Sequence, residues 1–250
     1  ALAIVVSVIE RGWPWRAFWA IGLPGLFVAI LYSLDIFLFV FAISHTNVAN
    51  VLIILAASPL FSALMSWVFL RERVGSATWA AIFACIFGIG LVFSGGLGQG
   101  TLVGDVSALC VAFTLAATFT VLRRWKHVSM IPATAAGGLI AGVLSASLAS
   151  PSEIFANPSD LAYMAIVGLV VMPLAFGLIT LGPRYLPAPE VSLIMLLEAV
   201  LGPFWVWLVL REEPTSLALL GGGIVLGTIA LHSGFKLLQM RRIESRFTPG

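Results

Sequence analysis

Eight stretches of this sequence hold little but apolar side chains: 17–42, 48–70, 75–94, 102–123, 131–149, 160–181, 188–210 and 215–238. Each reaches or approaches the about 20 residues that a helix needs to cross a bilayer. Lipid offers no hydrogen-bond partners, so a chain with this pattern must satisfy its backbone within each segment, as helices do. Composition agrees: 60% of the 250 residues are hydrophobic and 10% are charged, against about 25% charged in an ordinary soluble domain. The expected fold is therefore an all-α polytopic membrane protein. The breaks SHTN, RERVGS, SGGLGQG, RRWKH, SPSEIFANPS, GPRYLPAPE and REEPTS are short enough to make neighbouring helices antiparallel. An apolar stub, ALAIVVSVI, precedes the first full run and is too short to span.

Charge placement orients the bundle. Counting spans from Arg11 and Arg16 puts Arg71, Arg73, Arg123, Arg124, Lys126, Arg184, Lys236, Arg241, Arg242 and Arg246 on the same face, and Arg211 alone on the other. That face is expected to be cytoplasmic, with the C-terminus, because basic residues collect inside. The tryptophans at 13, 15, 19, 67, 79, 125, 205 and 207 fall near span ends, where indole prefers the interface. A net charge of +2 gives no reason to expect nucleic acid as a partner. Lipid and a small solute are the expected ones.

A helix ending occurs twice. WVFLRER at 67–73 and WLVLREE at 207–213 keep Trp, Leu, Arg and Glu in register. An odd number of spans separates them, so the second copy crosses in the opposite direction. Inverted duplication of an odd-numbered bundle is a common transporter architecture, with the binding site near the midplane between the repeats. Shifting the helices at 102–123 and 131–149 back by the same interval places one wholly before residue 1 and the other ending near the stub. The expectation is an inverted repeat of five-helix units, ten helices in all. The first helix and half of the second would then be absent from the sequence.

The stretches NVANVLIILAASPLFSALMSWVFLRERVGSATWAAIFACIFGIGLVF and LPAPEVSLIMLLEAVLGPFWVWLVLREEPTSLALLGGGIVLGTIAL resemble the fourth and fifth, and the ninth and tenth, helices of the drug/metabolite transporter (DMT) superfamily, EamA type. The resemblance runs over essentially the whole chain. It implies a first EamA-like repeat at 1–98, truncated at its start, a second, inverted repeat at 99–240, and a cytoplasmic tail at 241–250. It also implies a central substrate cavity, a bacterial inner (plasma) membrane location and no cofactor. The chain looks nearest the bacterial amino-acid and metabolite exporters.

Candidate site residues follow from the cost of polarity in lipid, about 2.5–3.5 kcal/mol for Asp at mid-helix on translocon scales. Glu198 is central in 188–210, and Asp35 lies past the middle of 17–42. Each is read either as a site for a cation, an ammonium group or a relayed proton, or as a structural carboxyl that joins helices. Helical spacing adds Tyr32 and Phe39 to Asp35, and Ser192, Met195 and Trp205 to Glu198. Ser58 occupies the Glu198 position in the other half, on a stripe with Asn47, Val51 and Ile54. Aromatic and Met side chains beside few polar groups suit a partly apolar solute; as bare helix contacts they would need no ligand. His45 and Asn47 sit at the outer end, where His45 either gates the mouth or is an ordinary loop histidine. Tyr185 is its counterpart at the inner mouth. Arg71/Glu72 and Arg211/Glu212 are read as helix-end ion pairs. Pro59, Pro173 and Pro203 bend their helices. The ridges Ala80–Ala84–Gly88, Ala133–Gly137–Ala141 and Gly223–Gly227 allow close helix approach, within each half or in a weak homodimer.

The expected function is secondary transport of small organic solutes, most naturally export of amino acids or related metabolites by alternating access, with or without proton coupling. The alternative is proton-coupled multidrug or cation efflux. A GxxxxGK[ST] loop is absent, so direct ATP drive has no support. An intramembrane enzyme would need a nucleophile and base. The sequence has no GxSxG or HExxH, and His127 and His232 lie in a loop and at the far end of a span. Cys85 and Cys110 lie in apolar runs, with no metal-ligand cluster and no disulfide framework around them. No basic residue lies mid-span, which argues against phosphate-bearing substrates.

Overall fold

The computed structural model describes residues 14–94, 101–148, 158–210 and 216–247. Among the described residues all regular structure is helical. The segments are α1 (Pro14–His45), α2 (Val48–Leu55), α3 (Ser58–Met65) continued by a π-helical turn (Ser66–Leu70), and α4 (Ser76–Phe93). Then come α5 (Leu102–Arg124), α6 (Ile131–Leu148), α7 (Pro158–Ile166) with a second π-helical turn (Val167–Val171), α8 (Met172–Tyr185), α9 (Ala188–Leu210) and α10 (Ser216–Phe247). These rods fall on the apolar runs read from the sequence. Among the described residues six stretches are long and apolar enough to cross a membrane: Ile21–His45, Val48–Leu70, Ser76–Phe93, Leu102–Arg124, Ala162–Tyr185 and Ser216–Lys236. Ile131–Ser145 is a shorter apolar helix, and several α9 side chains lie outside the described set. The stub and the second LREE copy, with Arg211 and Glu212, lie outside the described residues.

Local chemistry explains the breaks. Gly22 holds φ 58 and ψ −150 inside α1, a left-handed conformation that glycine adopts without a Cβ penalty, and Pro24 follows with no donor of its own. The α2–α3 break lies at Ala56–Ala57, with Pro59 in the first turn of α3, where a missing N–H costs least. Pro173 opens α8 in the same way after the second π-helical turn. The first π-helical turn ends at Arg71 with φ 56, an unusual conformation for a residue with a side chain.

α5 is the central rod; α1, α2, α3, α8 and α9 all pack on it, while α6 packs on α1 and α8, and α4 packs on α10. Close approach is made by small residues. A Cβ on Gly88 would meet Val225 Cγ2 at 2.7 Å and the Gly221 carbonyl at 3.0 Å. A Cβ on Gly221 would in turn run into the Gly88 carbonyl and the backbone at Val92. Moving from Gly221 to Val225 thus moves back along α4 from Val92 to Gly88, so α4 and α10 are antiparallel. Ala81, Ile82, Cys85, Ile89, Val225 and Ile229 are buried between them. Of the expected ridge Ala80–Ala84–Gly88, Gly88 is buried in this contact, whereas Ala80 is exposed. Gly223 and Gly227 are also turned away, with nothing within 4 Å of a Cβ at either. The ridge Ala133–Gly137–Ala141 is buried as expected, with Gly137 against the Ala29 carbonyl and Tyr32.

Polar contacts gather at the two ends of the bundle. At one end Arg123 Nε donates to Glu72 Oε1 at 3.0 Å and Arg184 Nε to the Lys126 carbonyl at 3.1 Å, and Lys236 pairs with Glu190. Glu72 therefore takes its cation from α5, not from a neighbour on its own helix. At the other end Thr101 Oγ1 donates to the His45 carbonyl and Thr46 Oγ1 to Asp105 Oδ1, the latter at 2.7 Å. The first end collects described loops that the charge pattern assigns to the basic face.

Candidate functional site

A cavity of about 300 Å³ opens where α9 crosses the α2–α3 break. It is lined by Phe39, Leu52, Leu55, Ser58, Leu115, Met195, Leu196, Glu198 and Ala199. Its position follows from the chain. The break ends one helix at Leu55 and starts the next at Ser58, and Ser58 lines the cavity. α9 is unbroken at the same level and carries Glu198 in mid-rod. Ala199 and Leu115 leave room; Phe39, Leu52, Leu55 and Met195 form an apolar wall. Glu198 is the one ionisable group among the lining residues. Among the described lining residues there is no Lys or Arg.

Four expected residues, Phe39, Ser58, Met195 and Glu198, meet in this cavity. Ser192 is fully buried beside it and shares a 2.6 Å hydrogen bond with Ser62 on α3. Asp35 is half-buried and accepts a 2.8 Å hydrogen bond from Thr114 Oγ1 on α5, which joins two packed helices. Tyr32 stacks edge-on against Phe176, ring centroids 5.2 Å apart. It lines a different cavity, of about 320 Å³, between α1, α6 and α8. His45 is exposed, stacked on Phe41 with centroids 4.0 Å apart, and its Nδ1 lies 2.9 Å from the Phe41 carbonyl. Asn47 caps α2, its Oδ1 accepting from the Ala49 N–H at 3.0 Å. Trp205 is 57% exposed and packs on Phe204, away from the cavity lining. Tyr185 is exposed.

Residues that the sequence reading passed over also matter. Leu115 and Leu52 complete the wall, but nothing distinguishes one leucine from another in an apolar run. Ser62 was legible: it continues the Ser58 stripe at i+4. Glu190 carried a signal as the acid in the first turn of α9, where a negative charge suits the helix N-terminus; its partner Lys236 lies in the C-terminal half of α10.

Comparison with known proteins agrees with this architecture. The EamA-like transporter family matches residues 1–94 and 102–234. The uncharacterized transporter YdfC of Bacillus subtilis (strain 168) is 27% identical over 208 residues, which cover 80% of this chain and 65% of that relative's own length. A solved crystal structure superposes with a TM-score of 0.75 at 19% identity, covering 97% of this chain and 84% of the other. At that identity the likeness concerns the fold alone.

Proposed function

Because the chain belongs to the EamA-like transporter family, we propose that it moves small organic solutes across the membrane by alternating access, as an exporter of amino acids or related metabolites. The observation that carries this reading is the cavity holding Glu198 and Ser58 against an apolar wall. Glu198 accepts from the ammonium group of the solute, Ser58 donates to its carboxylate, and the wall holds an apolar side chain. Glu198, with no basic residue beside it among the described lining residues, repels a phosphate.

The two-repeat division, 1–98 and 99–240 with a tail at 241–250, belongs to the same proposal. Two observations favour it. α4 and α10, which correspond under the repeat, pack antiparallel. The Ser62–Ser192 bond lies four residues after Ser58 on one helix and six before Glu198 on the other, so the matched rods cross close to those positions. With the basic end cytoplasmic, the protein sits in a bacterial inner membrane with its C-terminus inside, as a monomer or weak homodimer.

Counterflow tests the reading. Proteoliposomes preloaded with an unlabelled neutral amino acid such as leucine should take up labelled leucine several-fold faster than empty ones. Preloading without effect for every amino acid in a panel would remove the amino-acid reading. The lone carboxyl in the cavity favours one alternative, proton-coupled efflux of an organic cation. Acceleration by amines in place of amino acids, dependent on a pH gradient, selects that alternative.

A further inference from the structure

The serines of α3 form a line that the cavity does not account for. Ser58, Ser62 and Ser66 lie at i, i+4 and i+8, on one helix face, and are 2%, 0% and 0% exposed. Hydroxyls in the neighbouring helices are satisfied by their own backbone: Ser107 on Val103, Thr118 on Thr114, Thr120 on Ala116 and Thr180 on Phe176. The α3 serines make no such bond. Ser58 opens on the cavity, Ser62 bonds Ser192 on α9 at 2.6 Å, and Ser66 Oγ is buried with no partner among the described residues. Burying a hydroxyl unpaired is costly, and an orphan of this kind calls for an explanation.

The line leads from the Glu198 cavity to the basic end. Ser66 begins the π-helical turn, a helix irregularity common at functional sites. The Glu72 N–H donates to the Ser66 carbonyl at 3.2 Å. Glu72 offers Oε1 to Arg123, while its buried Oε2 has no partner among the described residues. A carboxyl thus stands at each end of a run of hydroxyls, with unspent acceptors on it. The matched positions in α9 are Glu198, Gly202 and Val206, so the line belongs to the first half alone.

We propose that Ser58, Ser62 and Ser66 line the path by which an ammonium-bearing solute passes between the Glu198 cavity and the basic end, and that the Ser62–Ser192 hydrogen bond marks where that path is shut in this structure. This rests on the transport reading and adds the route and the point of closure. When α3 and α9 part, the Ser62 and Ser192 hydroxyls that now face each other face water and solute, and the route continues past Ser66, whose turn packs on α5.

Cysteine accessibility tests it in a chain carrying Cys85→Ala and Cys110→Ser, in membrane vesicles with the basic face exposed to an impermeant cationic methanethiosulfonate. Ser62→Cys and Ser66→Cys should react at least tenfold faster than Leu64→Cys, which is on the same helix but 42% exposed on the apolar exterior. Their modification should block leucine counterflow. Ser192→Ala should speed the reaction of Ser66→Cys about fivefold, the scale of one net hydrogen bond. Equal, slow reaction at all three positions, or modification that leaves counterflow intact, overturns the route. If the cysteine variants fail to fold, Ser62→Ala and Ser192→Ala decide: both should change the counterflow rate, and unchanged rates count against closure at this bond. Absence of counterflow in the unmodified protein instead overturns the transport reading, which is a separate result from the accessibility contrast.

Discussion

The rods α2–α3 and α9 have matched sequences and different backbones. The first breaks at Ala56–Ala57 and restarts on Ser58 and Pro59; the second runs straight through Glu198 and Ala199. Proline placement accounts for part of this. Pro59 lies right after the matched centre and has no N–H to continue the ladder, whereas the proline of α9, Pro203, comes four residues later in register. The difference teaches that one template can be made chemically lopsided at its crossing point. Ser58 stands just after a break and Glu198 within a continuous helix, an asymmetry that suits the proposed solute with two unlike ends.

The largest expected effect comes from removing the carboxyl side of that contrast. Glu198→Gln should lower leucine counterflow about 10- to 100-fold, the range for a hydrogen bond to a charged group, while Glu212→Gln at the helix end should stay near wild type. Equal rates for the two would take Glu198 out of the site. Next in size is the contact between the matched helices α4 and α10. Gly88→Leu should destabilise the protein by about 1–3 kcal/mol through overpacking, read as a lower melting temperature in detergent. Gly223→Ala, where a Cβ meets nothing within 4 Å, should leave melting unchanged. A smaller effect is expected on the hydroxyl side: Ser58→Ala should raise the solute KM about fivefold with kcat little altered. The smallest concerns the basic end. Arg123→Met removes a partly exposed ion pair with Glu72, side chains 15% and 36% exposed, and should cost under about 1 kcal/mol in thermal stability.

The rods were legible because each apolar run is bounded by charge, Gly or Pro, and lipid leaves the backbone few alternatives. Irregularities inside the rods were less so. Pro59 announced a break, yet the π-helical turns at Ser66–Leu70 and Val167–Val171 carry no residue that demands them. Spacing of four identifies a face without saying which neighbour it meets: Gly223 and Gly227 face away from α4. In α10 the face in contact is Gly221 and Val225. In the site, Glu198 and Ser58 were legible as matched polar residues at mid-span. Asp35 carried the same signal but bonds Thr114, since a carboxyl's cost in lipid is equally offset by a ligand or by a neighbouring hydroxyl. Asn47 is a cap, the commonest use of that residue just before a helix.

On the proposed reading, opposed orientation of the two halves underlies both the cavity and its lopsidedness. Side-specific labelling of the matched positions Arg73 and Glu213 tests it most directly. With single cysteines at each and an impermeant thiol reagent applied to one face of sealed vesicles, Arg73→Cys should react from the basic face and Glu213→Cys only from the opposite face. Reaction of both from the same face would contradict the inverted arrangement and the crossing of Ser58 with Glu198 built on it.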